Sequence, residues 1–196
     1  MDAEIKLQEV EYHLQRMREL YLDNMKHFKY ELNAFLINAR SIPDVLLEDF
    51  NKKFSLGINS DKKINSSKFE KIAYQLNNIQ ALTFLLWWTR YKNTNIVSNQ
   101  LFSMLFNKRD ILINEKMIES EKLFETSIFV SGEWKVYDED GNLVTQTTQK
   151  PMKSTKNDWF FTDYHDINVL ESCEKLFETL RIFIEEAKNQ FMENIL

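Results

Sequence analysis

The feature that most constrains this chain is an apolar line that recurs at steps of three and four residues. It begins at Val10 and ends at Leu46. Its other members are Leu14, Met17, Tyr21, Met25, Phe28, Leu32, Phe35 and Ala39. Only a helix brings residues three and four apart onto one face, so the spacing predicts one long helix or two in tandem. Pro43 is expected to kink or restart this helix, and Ser41 is the predicted cap of the piece that follows.

The rest of the chain is also predicted to be mainly helical. Helical spacing predicts a helix over 66–91 that begins at Ser66 or Ser67, a turn over 92–95, and a final helix from Val169 to Phe191. Only 3 glycines and 2 prolines occur in 196 residues, which favours long helices over a turn-rich β fold. The exception is a predicted β-hairpin inserted at about 127–149, with its turn at Asp140-Gly141. We therefore predict a single helical domain over 1–196 with one β-hairpin insertion.

Composition and charge limit the classes of function. The single cysteine, Cys173, excludes an internal disulfide framework, and no secretory signal or membrane-spanning run is visible, which predicts a cytoplasmic protein without a membrane partner. A net charge of −5 argues against a general nucleic-acid binder with a large phosphate-neutralising surface. It still allows a small positive cleft in an acidic body, because field focusing depends on local charge.

The stretch from Leu101 to Met117 is the predicted functional helix. Arg109 falls inside an apolar stripe, and an entirely polar line runs beside that stripe. The apolar members are Phe102, Phe106, Ile113 and Met117, and the polar members are Ser103, Asn107, Asp110 and Asn114. An Arg among packing residues either faces a protein interface or a wet crevice, or packs its stem at the stripe's edge while its head reaches water. Both interpretations stay open at this point.

No cofactor or metal site is predicted from the residues. Asp158, Asp163, His165 and Asp166 include metal-ligand residue types, but their spacing matches no dedicated loop, and Asp166 also serves as a predicted N-cap for the last helix. No Gly-rich phosphate loop, nucleophile elbow or zinc-ligand set occurs in the sequence.

Two segments together resemble the HEPN superfamily (higher eukaryote and prokaryote nucleotide-binding). The first is Arg-Asp-Ile-Leu-Ile-Asn at 109–114, which is similar to the family signature of Arg, a polar residue, three mostly apolar residues and His. The second is the segment 27–44, where an Ala-Phe-Leu run leads to Ala39-Arg40-Ser41 as in the early helix of bacterial HEPN-like proteins. The resemblance covers the helices from about Tyr21 to Met117 and the last helix, and it implies an up-and-down helical bundle.

The resemblance also implies a mechanism. Many HEPN proteins are metal-independent endoribonucleases in which two copies pack through their signature helices, so that both signatures meet in one cleft. Carried over to this chain, Arg109 stabilises charge on the phosphate and Asp110 orients Arg109 or holds the polar network of the cleft. The implied partners are a second copy bound through the helix from Leu101 to Met117, an RNA substrate and an antitoxin protein.

The chain departs from the family at position 114, where Asn114 stands in place of the His. An amide cannot take up or release a proton near neutral pH, so Asn114 can hydrogen-bond a phosphate or a 2′-OH but cannot act as the base. Three explanations stay open. The chain is an inactive variant, natural or made by substitution of the catalytic His, or it is a binding-only protein. In the third, another group such as His27 or His165 transfers the proton. The sequence leaves open whether it is an endoribonuclease of the toxin or phage-defence kind or a non-catalytic dimeric module for RNA, a nucleotide or a protein.

Overall fold

The structure is a computed structural model that describes residues 1–21, 25–59, 64–107 and 164–192, together with short strands between residues 120 and 161. The chain folds into two compact units. The first comprises Met1–Ile118 with Leu170–Leu196, and the second comprises Glu119–Val169. Each unit is described below by itself.

The first unit begins with two antiparallel helices, α1 (Asp2–Leu20) and α2 (Met25–Lys53). Buried Asp49 on α2 accepts hydrogen bonds from the backbone N–H groups of Asp2 and Ala3, at 3.1 and 2.9 Å. It thereby satisfies donors that the first turn of α1 leaves without a partner. At the opposite end, the rings of Tyr21 and Phe28 lie 5.8 Å apart edge to face. The predicted apolar line is therefore shared by two helices that face one another.

Four further helices complete the described helical part of the chain. They are α3 (Ser66–Gln75), α4 (Ile79–Ser98), α5 (Gln100–Asn107) and α6 (Val169–Phe191). Lys188 of α6 pairs with Glu4 near the start of α1, and Arg18 near the end of α1 pairs with Glu174, so α1 and α6 are antiparallel. The prediction of a mainly α-helical chain is confirmed for the described residues.

Aromatic rings join α2, α4 and α6 in the core. Phe50 of α2 stacks on Phe84 of α4 with ring centroids 3.9 Å apart, and Phe191 of α6 contacts both rings at 6.2 and 5.4 Å. One turn further along α4, Trp87 stacks on Phe183 of α6 at 5.3 Å. Ring pairs of this kind contribute about 0.5–1.5 kcal/mol each beyond their buried area. These contacts fix the direction of α4 relative to the rest of the unit.

Two predicted helix boundaries are wrong, and asparagines explain both. The predicted helix over 66–91 is interrupted after Gln75, because Asn77 adopts a positive φ of 49° and the side chain of Asn78 accepts the Ala81 N–H as an N-cap. Asn favours both conformations. The predicted turn over 92–95 is instead helical, and α4 continues to Ser98 before Asn99 ends it. The apolar spacing continues across both positions, so periodicity could not reveal them.

Of the kink or restart predicted at Pro43, the restart is wrong, because α2 is one helix with Pro43 inside it. The Ser41 hydroxyl is not an N-cap: it donates to the Asn38 carbonyl oxygen at 2.7 Å, within the same helix. Ile42 and Leu46 on either side of Pro43 are fully buried. Their burial offsets the roughly 3 kcal/mol that an internal proline costs.

The described part of the second unit consists of six short strands, namely β1 (Ser120–Leu123), β2 (Ile128–Val130), β3 (Glu133–Tyr137), β4 (Leu143–Thr147), β5 (Asp158–Phe161) and β6 (Tyr164–Asn168). The predicted hairpin range holds β2, β3 and β4, which pair antiparallel in that order. A second sheet, β1-β5-β6, was not predicted. Asp166 lies inside β6, so its predicted role as the N-cap of the last helix is wrong. Asp163 lies outside the described residues.

The described helices include none that is both long and apolar enough to cross a membrane. The buried face of α6 agrees with the predicted final helix, since Val169, Cys173, Leu176 and Leu180 are fully buried. Burial raises the pKa of the Cys173 thiol well above its usual value, which makes this thiol a packing group with little nucleophilic character.

The contacts of Glu4 predict acid sensitivity. The Lys188 ammonium and the N-terminal amine donate hydrogen bonds to Glu4, and these bonds hold its pKa below the ordinary value of 4.5. A carboxylate whose pKa is lowered on folding stabilises the fold above its unfolded pKa and loses that contribution as the pH falls through the folded value. We therefore expect the free energy of unfolding, measured by urea denaturation, to fall as the pH drops from about 5 to 3, and to fall less steeply in Glu4→Gln. An equal slope in Glu4→Gln and in the control Glu9→Gln, which removes an exposed pair with Lys6, would contradict this assignment.

Candidate functional site

The three residues predicted as the site, Arg109, Asp110 and Asn114, lie outside the described residues. The described chain reaches them through α5, which ends at Asn107. The described elements that lead to this segment are α5 and the junction of α4 with α5, and α2 is in contact with α5.

Asn99 forms the junction at which α5 begins. Its side-chain oxygen accepts the Phe102 N–H at 3.0 Å and its carbonyl accepts the Ser103 N–H at 2.8 Å, so Asn99 caps the helix. The amide nitrogen of the same side chain donates to Thr179 Oγ1 of α6 at 3.2 Å. Asn99 thus ends α4 through its backbone, and its side chain starts α5 and ties the corner to α6.

Thr179 also connects α6 to the body of α4. Its carbonyl oxygen accepts a hydrogen bond from the Tyr91 hydroxyl at 3.1 Å. Burial, the largest cause, raises the pKa of Tyr91 to about 12, and the charge of Glu186 also raises it. A phenol with this pKa stays protonated at neutral pH, so Tyr91 acts here as a hydrogen-bond donor that positions α4 and not as an acid or base.

The first turns of α5 pack inside the chain. Leu101, Phe102 and Leu105 have at most 1% of their surface exposed. Phe102 is the first member of the predicted stripe that also contains Arg109, and its position two helical turns before Arg109 would place the two residues on one face of a continuous helix. Phe102 therefore packs in the core of one copy of the chain. The side chains of Phe106, Ile113 and Met117, the later members of the stripe, are not among the described ones.

Arg40 on α2 differs from most other described arginines. Arg16, Arg18 and Arg181 each form an ion pair with a glutamate. Arg40 is half-buried, and no ion pair or hydrogen bond joins its guanidinium to another described residue. An unneutralised guanidinium of this kind is a natural anion contact, because its fork of N–H donors matches phosphate oxygens. α2 and α5 are in contact, so the first segment of the HEPN resemblance lies on a helix next to the one that ends two residues before the second segment begins.

The sequence that forms α4 and α5 is depleted in negative charge. From Lys71 to Arg109 there is no Asp or Glu, whereas the stretch holds five cations. They are Lys71, Arg90, Lys92, Lys108 and Arg109. This occurs in a chain whose net charge is −5. The stretch is free of carboxylates along the sequence, while Glu178 and Glu186 of α6 lie close enough to Tyr91 of α4 to raise its pKa.

The three histidines lie on described elements of the two units. His13 Nδ1 on α1 lies 2.7 Å from Glu31 Oε2 on α2. The sequence could not reveal this pair, because it depends on the antiparallel packing of the two helices. His27 lies on exposed α2 surface beside Tyr30, and His165 lies in β6 of the second unit. Among the residues that the structure describes, no group of three or more His, Cys, Asp or Glu side chains could hold a metal ion.

Comparison of the chain with models of protein families, with curated proteins and with solved structures finds no match.

The Asn99 junction can be tested by substitution. We expect Asn99→Ala to lower the free energy of unfolding by about 1–2 kcal/mol, because it removes the cap of α5 together with the hydrogen bond to Thr179. The control is Ser98→Ala, which removes an exposed hydroxyl bonded to Thr94 in its own helix and should change stability by less than about 0.5 kcal/mol. Urea denaturation measures both. Equal effects of the two substitutions would show that Asn99 does not hold the corner.

Proposed function

We propose that this chain is a HEPN-like protein of the metal-independent endoribonuclease lineage, of a toxin or phage-defence kind, in which Asn114 replaces the proton-transferring His and cleavage is impaired. The observation that carries the proposal is the carboxylate-free stretch from Lys71 to Arg109, with its five cations. A phosphate backbone binds where cations are concentrated along a surface. The last residue of the stretch is Arg109, which the HEPN resemblance assigns to phosphate binding.

The described helices support the proposal in two further ways. The segments that resemble the family lie on α2 and directly after α5, and these two helices are in contact. Arg40, in the first segment, is half-buried and has no described carboxylate to neutralise it. In the proposed cleft, Arg109 and Arg40 both contribute positive charge, so that RNA meets more than one guanidinium.

The proposed chemistry follows from the residue types. Arg109 donates hydrogen bonds to the phosphate and stabilises the charge that develops when the ribose 2′-OH attacks. Asp110 accepts a hydrogen bond from Arg109 and keeps it oriented. Asn114 hydrogen-bonds the phosphate or the 2′-OH but moves no proton. Binding therefore persists while the proton-transfer step is lost, which costs a factor of about 10²–10⁴ in rate.

A second candidate function is a non-catalytic dimeric HEPN-like module that binds RNA, a nucleotide or a protein partner such as an antitoxin. The amide at position 114 favours it, since an amide is a binding group and not a base. In both proposals the second copy is recruited through the helix from Leu101 to Met117. Because Phe102 is fully buried within one copy, that contact would use the later part of this helix.

The experiment is to restore the missing base. We expect Asn114→His to cleave RNA in the presence of a chelator, and Asn114→His combined with Arg109→Ala to lose that cleavage by a factor of about 10²–10³, the usual effect of removing a transition-state donor. The unmodified chain should bind RNA with little or no cleavage. Gel electrophoresis of labelled RNA and fluorescence anisotropy measure cleavage and binding.

The matched control is Arg181→Ala, which removes an arginine already neutralised by Glu178 and Glu185 and should leave RNA binding unchanged. Arg109-dependent RNA binding without cleavage by Asn114→His would favour the non-catalytic module. If Arg109→Ala and Arg181→Ala bind RNA equally well, neither proposal stands.

A further inference from the structure

We draw no further inference here: the strongest candidate, the surface patch on α4 where the side chains of Ile79, Leu86 and Val97 are mostly exposed, carries none because nothing in the structure shows what covers it.

Discussion

The stack of Phe50 on Phe84, with Phe191 against both rings, is the contact on which the rest of the helical unit depends. It joins α2, α4 and α6 at one end of the unit, and Trp87 on Phe183 continues it along α4. Because α4 is held in this way, its far end presents Asn99 to Thr179 and sets the starting direction of α5. The position from which the chain leads to Arg109 is thus decided by aromatic packing about four helical turns away.

The sequence could predict which stretches are helical but not where every helix ends. Apolar spacing identifies the buried faces of α1, α2, α4 and α6, because burial of one stripe is what makes a surface helix stable. It cannot reveal the break at Asn77 or the continuation of α4 to Ser98, since both sides of each position bury residues at the same spacing. Those boundaries depend on the conformations of single asparagines. The tolerance of Pro43 depends on tertiary burial around it, which a local rule does not contain.

The site was predictable only as a set of candidates. Arg109 can be chosen from the sequence because an arginine in an apolar stripe is unusual. Asn114 is chosen only because the HEPN resemblance puts the family's His at its position, and both residues lie outside the described ones. Two side-chain interactions between the described helices could not be predicted either. His13 with Glu31 and Asn99 with Thr179 each join residues far apart in the sequence, so only the packing of the helices reveals them. The exposure of Ile79, Leu86 and Val97 likewise required the structure, because an apolar residue type does not by itself establish burial.

The central claim is that α2, α4 and α6 form one cooperative body that fixes the start of α5. Native-state hydrogen exchange followed by NMR in increasing denaturant tests it most directly, because it reports the free energy of opening for each helix. We expect amides near Phe50, Phe84 and Phe183 to open with one common free energy, equal to that of global unfolding. If the amides of α4 instead exchange through a separate opening of much lower free energy, the aromatic cluster does not hold the unit together.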